Sequence, residues 1–243
     1  MARESGLRGD DDPMKTTKLI AGFSVALLAV FSAQAQGSFQ NLNFESADLT
    51  PVPAGQGGGL VPISEGLPGW TGYLGSDQVT QVLQNNLTLG NASIDILGPN
   101  WSYGGIIQGQ YTVVLQPGAD PFGSGQNVSA SISQTGLVPA NAESLEFEAL
   151  ISSSFSVSLG GQNLSLSAWG TGANYTLYGG IIPSLDAGQV ETLTITALAG
   201  PNSADSFDAF VFSTTEPTPE PSIVALTAIG GLLFGARKRF ARR

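Results

Sequence analysis

Ser144-Leu145-Glu146-Phe147-Glu148-Ala149 is the stretch that decides the fold class, because apolar and polar side chains alternate throughout it. In an extended strand successive side chains point to opposite faces, so Leu145, Phe147 and Ala149 share a core face and Glu146 and Glu148 share a wet one. A helix would spread the same residues around its circumference. The alternation recurs on both sides, in Asn127-Val128-Ser129-Ala130-Ser131-Ile132-Ser133, Phe155-Ser156-Val157-Ser158-Leu159, Leu164-Ser165-Leu166-Ser167-Ala168-Trp169 and Leu193-Thr194-Ile195-Thr196-Ala197. Further strands are expected at Phe39 to Glu45, Gln78 to Leu83, Ala92 to Leu97, Tyr111 to Gln116, Tyr175 to Tyr178 and Ser206 to Ser213. Turn signals such as Gly160-Gly161-Gln162-Asn163, Gly170-Thr171-Gly172 and Gly179-Gly180 separate them. About eleven short strands, with no convincing amphipathic helix, predict an all-β fold, a two-sheet antiparallel β-sandwich. Pro51 to Gly69, with four Pro and six Gly, reads as the longest irregular stretch.

Composition narrows the chemistry. The chain has 243 residues, with 19 acidic and 9 basic side chains, 32 Gly, 14 Pro and neither Cys nor His. Without Cys and His there is no Ser-His-Asp or Cys-His nucleophile, no thiolate or imidazole metal site and no disulfide. At 42% hydrophobic and 12% charged the chain is too apolar for a disordered protein.

The placement of charge says more than its sum. All nine basic residues lie at the ends: Arg3, Arg8, Lys15 and Lys18, then Arg237, Lys238, Arg239, Arg242 and Arg243. Four of the 19 acids, Glu4, Asp10, Asp11 and Asp12, precede Lys15, which leaves 15 carboxylates in an interval with no cation. Such a surface repels phosphate, so neither a nucleic acid nor a nucleotide is expected as partner.

The basic ends read as targeting signals. From Met14, the run Met14-Lys15-Thr16-Thr17-Lys18, the apolar stretch Leu19 to Phe31 and the small-residue site Ala33-Gln34-Ala35 follow the order of a secretory signal peptide over 14–35. Signal peptidase and the Sec export machinery are the partners this implies, with cleavage beside Ala33 and Ala35. Residues 1–13 do not belong to such a signal, and translation is expected to begin at Met14. The segment 36–215 holds 180 residues, enough to bury about 70% of its unfolded surface in one core. It is expected to be a β-sandwich ectodomain.

Residues 216–243 carry Thr218-Pro219-Glu220-Pro221-Ser222, an uncharged stretch Ile223 to Ala236, and the terminus Arg237-Lys238-Arg239-Phe240-Ala241-Arg242-Arg243. This three-part tail resembles the PEP-CTERM sorting signal of Gram-negative bacteria that make exopolysaccharide. About 14 apolar residues at 1.5 Å rise give roughly 21 Å, short of the ~30 Å hydrocarbon core, so the helix is a marginal span. Arg237, Lys238 and Arg239 would hold its end on the cytoplasmic side. The resemblance implies a transient inner-membrane anchor, cut near Pro219, Glu220 and Pro221 by an exosortase-type membrane protease. The product would then stand at the cell surface or in the extracellular matrix. A permanent short anchor is the competing reading and also leaves the domain outside the cytoplasm.

A second resemblance covers most of 39–213. It rests on Phe39-Gln40-Asn41-Leu42-Asn43-Phe44-Glu45, Leu67-Pro68-Gly69-Trp70, Ala187-Gly188-Gln189, and Phe207-Asp208-Ala209-Phe210-Val211-Phe212-Ser213. These look like the jelly-roll ectodomains of PEP-CTERM proteins, similar to galactose-binding-like carbohydrate modules. What the resemblance implies is that the first and last strands are neighbours and that Glu45 and Asp208 hold a structural calcium ion. Here Ala209 follows Asp208 where many relatives carry Asn or Asp, so one oxygen ligand is missing. Calcium seeks six to eight oxygens, which an acidic domain can supply, and solvated surface acids are the competing reading. No other cofactor is expected.

Two classes of function remain. Glu146 and Glu148 stand roughly 6.6 Å apart along one strand, within the span of an inverting glycoside hydrolase. Their place on the wet face of an amphipathic strand explains them without catalysis, so no catalytic residue is assigned. A binding role rests on the aromatics Trp70, Tyr73, Trp101, Tyr103, Trp169, Tyr175 and Tyr178. Of these Trp70, Tyr73, Trp101 and Tyr103 lie in Gly-rich contexts and are the candidate ligand-binding residues, since flat amphipathic rings suit sugar faces. The expected function is a non-enzymatic module that binds extracellular polysaccharide or the cell envelope, and the alternative is a structural or adhesive matrix protein.

Overall fold

A computed structural model of the protein describes residues 37–216. The extension 1–13, the export signal with Ala33 and Ala35, and the sorting signal with Pro219, Glu220, Pro221, Arg237, Lys238 and Arg239 lie outside the described residues. Among the described residues no helix is long and apolar enough to cross a membrane.

In chain order the elements are β1 (Leu60–Pro62), α1 (Ile63–Gly66), β2 (Thr71–Leu74), β3 (Asp77–Val79), β4 (Gln81–Gln84), β5 (Ser93–Leu97) and β6 (Thr112–Gln116). There follow β7 (Gly118–Ala119), β8 (Asn127–Val128), β9 (Ala130–Leu137), β10 (Ser144–Leu150), β11 (Phe155–Leu159) and β12 (Gln162–Asn163). The chain closes with β13 (Leu166–Thr171), β14 (Thr176–Ile181), β15 (Val190–Ala197) and β16 (Asp205–Ser213). One sheet has eight strands, β1-β4-β5-β6-β16-β10-β14-β13, and the other six, β12-β11-β15-β9-β2-β3, with β7 and β8 a separate ribbon. Every strand pairing is antiparallel except that of β4 with β5. The protein is an all-β two-sheet sandwich, and that one parallel pair departs from the purely antiparallel arrangement expected.

The core follows the alternation. Leu145, Phe147 and Ala149 of β10 are buried, as are Leu193, Ile195 and Ala197 of β15 and Ala130 and Ile132 of β9. Phe147 stacks on Phe210 at 4.8 Å and on Tyr178 at 5.7 Å between ring centroids. Burying one such ring contributes about 1.5–3 kcal/mol. A bulge lets β16 contribute twice. Ala209 has φ 51°, and this extra residue turns Phe210 inward beside Phe207 while Asp208 faces outward. Strict alternation would have put Phe207 and Phe210 on opposite faces.

Three strand expectations change. Phe39 to Glu45 is not a strand, because Asn41 and Phe44 take φ of 50° and 57° and coil the segment. It still lies against the last strand, where the Phe210 N–H donates to the Leu42 carbonyl at 3.0 Å. Gln78 to Leu83 breaks at Thr80 into β3 and β4, which belong to different sheets. Polar Thr80 and Gln81 fall side by side there and put Val79 and Val82 on opposite parity, a break in the alternation at the corner itself. Finally, the stretch 51–69 contains β1, paired with β4, and the single helical turn α1.

The outer face of the eight-stranded sheet is covered over half its width. Along β5 and β6 every residue is buried, on the outward side as well as the core side. The connection 98–111 lies over this half: a Cβ on Gly105 would stand 3.0 Å from Leu97 Cδ1 and 3.4 Å from Ser206 Oγ. The other half, on β10, β14 and β13, keeps its outward side chains partly exposed.

Candidate functional site

The four aromatic residues proposed from the sequence do not form one patch. Trp70 is 5% exposed and belongs to the core. The turn Leu67-Pro68-Gly69 aims it inward, with Gly69 at φ 87°. Its ring packs on Phe44 at 5.6 Å and its indole N–H donates to the Asn41 carbonyl at 3.1 Å. Tyr73 sits half-buried on β2 in the six-stranded sheet, opposite Gln78 and Ser131. Trp101 and Tyr103 do stay together on the 98–111 connection, edge to face at 5.1 Å, with Tyr103 78% exposed. The indole N–H of Trp101 is occupied by the Gly104 carbonyl.

Carboxylates pin that connection from beneath. Glu45 Oε1 accepts the N–H groups of Gln110 at 2.8 Å and Tyr111 at 3.0 Å. Asp208 Oδ2 accepts the Thr112 hydroxyl at 2.6 Å and the Gln108 N–H at 3.3 Å, while its Oδ1 accepts the Ala209 N–H at 2.7 Å. Burial pushes the Asp208 carboxyl up to about 7 against those hydrogen bonds, and the nearby Glu45 charge pushes the same way. Calcium does not fit this donor set. Three of the pair's four carboxylate oxygens, Glu45 Oε1 and both of Asp208, already accept N–H or O–H donors, and no group of three or more Asp or Glu converges among the described residues to supply the six to eight oxygens the ion seeks. Glu45 and Asp208 thus act together as a hydrogen-bond clamp on one loop.

A concave site opens at the Thr80 corner. Because β3 and β4 leave Thr80 for different sheets, the sandwich parts there into a cleft of about 420 Å³. Leu74, Val82 and Ile94 of the core reach its floor, Gln78, Gln81 and Asn91 supply neutral amides, and no lining residue is charged. Phe122 stands at this cleft 60% exposed. Asp120 holds it in place, its two carboxylate oxygens accepting the N–H groups of Phe122 at 2.9 Å and Ser124 at 2.8 Å. Hydrogen bonds from Ser124 and then Phe122 lower the Asp120 pKa. Sequence reasoning missed Phe122, although the Asp120-Pro121-Phe122-Gly123 turn that displays it was visible.

Glu146 and Glu148 occupy the open half of the outer face, as their alternation required. Glu146 lies opposite Gly179 and Val211, and Glu148 opposite Leu177 and Asp208. Beyond the sheet's middle, Asp95 is fully buried on β5, with one oxygen accepting the Asn86 N–H at 3.0 Å and the other without a partner. Desolvation pushes its carboxyl up to about 7, against hydrogen bonds from Asn86 and Asn85.

No protein-family model matches the chain, and no curated protein does. Among solved structures it is similar to the carbohydrate-binding module TmCBM61 in complex with beta-1,4-galactotriose, with 14% identity and a TM-score of 0.36. That similarity covers 72% of this chain and 96% of the other.

Proposed function

We propose that the protein is an exported, non-enzymatic module that binds an uncharged glycan of the extracellular matrix or cell envelope. The observation that carries the reading is the charge-free cleft beside Phe122. Its volume of about 420 Å³ falls in the range of about 300–1,000 Å³ usual for small-ligand sites. A ring face on Phe122 suits the apolar side of a sugar, and the amides of Gln78, Gln81 and Asn91 suit its hydroxyls. A glycan rich in uronate or sulfate is unsuited, because no Lys or Arg stands between Lys18 and Arg237 to hold its anions. The paired rings of Trp101 and Tyr103, on a loop clamped by Glu45 and Asp208, offer a further contact.

The signal-peptide order of residues 14–35 and the resemblance of 216–243 to a PEP-CTERM sorting tail support a route outward through the Sec machinery. Signal peptidase and an exosortase-type protease would process it, placing it at the surface of a Gram-negative cell. An adhesive matrix protein without a sugar ligand is the competing reading. Burial of Trp70 agrees with it, whereas Trp101 and Trp169 both keep part of their surface exposed.

Affinity electrophoresis of the protein through gels containing neutral polysaccharides tests the reading. Retardation that Phe122→Ala weakens is expected, and unretarded migration in every such gel would overturn it. The mass of the mature protein tests the route, with termini expected near Gln36 and Pro219.

A further inference from the structure

The cleft at the Thr80 corner is divided between an apolar interior and a polar rim. Its interior is aliphatic: Leu74, Val82, Ala92 and Ile94 are buried core residues, and Val79 of β3 is half-buried. A glycine makes room for this packing, since a Cβ on Gly72 of β2 would stand 2.7 Å from Ile94 Cδ1 and 3.0 Å from Val79 Cγ2. At the rim Gln78, Thr80, Gln81 and Asn91 are all exposed.

Two further hydroxyls line the cleft, and both are already engaged. The Ser93 hydroxyl donates to Gln116 Oε1 at 2.9 Å, and the Thr88 hydroxyl donates to the Asn91 carbonyl. The same Gln116 oxygen accepts the Thr88 N–H at 2.9 Å, and the Ala119 carbonyl accepts the Ala92 N–H at 2.8 Å. The donors on this side of the cleft are therefore spent within the protein. An ordinary hexose suits such a site poorly. A hydroxyl pressed against the aliphatic interior loses its water without gaining a partner, whereas hydroxyls kept at the rim still meet the exposed amides. A matched ligand is polar on one side and ends in a small apolar group on the other.

We infer that the cleft takes a 6-deoxyhexose, with the methyl group on its C5 turned to the aliphatic interior, its apolar ring face on Phe122 and its ring hydroxyls on the amides of Gln78, Gln81 and Asn91. In such a sugar the exocyclic hydroxyl of the parent hexose is replaced by hydrogen, so the one carbon that projects from the ring is a methyl group. That methyl gains apolar contact with Val79, Val82 and Ile94 where the hydroxyl would be stranded. The inference rests on the glycan-binding reading and narrows it to one class of neutral sugar.

Calorimetric titration of the full-length protein with methyl α-L-fucoside and methyl α-L-galactoside tests it, because the two differ only in the hydroxyl on C6. The fucoside should bind about tenfold tighter. Val79→Thr exchanges a methyl for a hydroxyl at nearly constant volume and should bring the ratio of the two affinities to about one, with urea unfolding confirming that the variant is folded. Phe122→Ala, at an exposed position, should weaken both glycosides and leave their ratio unchanged. Equal affinities in the parent protein, tighter binding of the galactoside or of its 6-O-acetyl ester, or a ratio that survives Val79→Thr would overturn the inference while leaving the glycan-binding reading standing. Binding of neither glycoside would also overturn the inference alone if neutral polysaccharide gels still retard the protein, and would overturn both if they do not.

Discussion

Asp95 and Glu148 lie on the same face of the same sheet, yet one is sealed and the other is open. Register carries the face across from Asp95 to Val114, Ser206 and Leu150, and Glu148 follows two residues along β10. What differs is the cover. Over β5, β6 and β16 the connections 85–92 and 98–111 close the face, and Asp95 and Asp208 beneath them are pushed up to about 7. Over β10, β14 and β13 nothing comparable lies among the described residues, and Glu146 and Glu148 keep part of their surface. The strand pattern supplies carboxylates to both halves. Loop placement decides which become buried acids and which stay open to solvent.

The comparison breaks altogether if the core under both halves fails. Phe147→Ala removes the ring that stacks on Phe210 and Tyr178 and should cost about 3–5 kcal/mol in urea unfolding. A loss below about 1 kcal/mol would mean that the aromatic stack is not central.

The sealed half is tested by pH. Asp95 has a folded-state value raised from 3.8 to about 7. Its stabilising contribution is therefore complete below the unfolded value and lost as pH rises through about 7, a change of roughly 4 kcal/mol at most. Asp208 runs in the same direction. Unfolding free energy should thus fall between mildly acidic and mildly alkaline buffer, and Asp95→Asn should remove a large part of that fall. A profile unchanged by Asp95→Asn would show that the carboxyl is not sealed.

The open half is tested by its glycine. Gly179→Ala places a methyl where the Trp169 ring lies and should cost about 1–3 kcal/mol in urea unfolding. Retention of uncharged glycan in the cleft should survive it. The smallest effect expected is at the cleft itself, where Phe122→Ala should weaken binding of a neutral oligosaccharide by about tenfold with little change in stability.

The sequence determined the local periods and the charge map. Alternation in residues 144–149, 155–159 and 193–197 named the core residues correctly, because side-chain direction in a strand depends only on parity. The absence of cations between Lys18 and Arg237, which shapes every reading of the ligand, needs no structure at all. The tertiary structure decided whatever depends on contacts distant in sequence. Thr80 is a corner because its two flanking strands find partners in different sheets, and Trp70 is core because Phe44 and Asn41 come to meet it. The Ala209 bulge and the wedge of Trp169 over Gly179 shift parity by one residue, a change no alternating pattern records. Period is a property of neighbours along the chain; a site is made by neighbours across it.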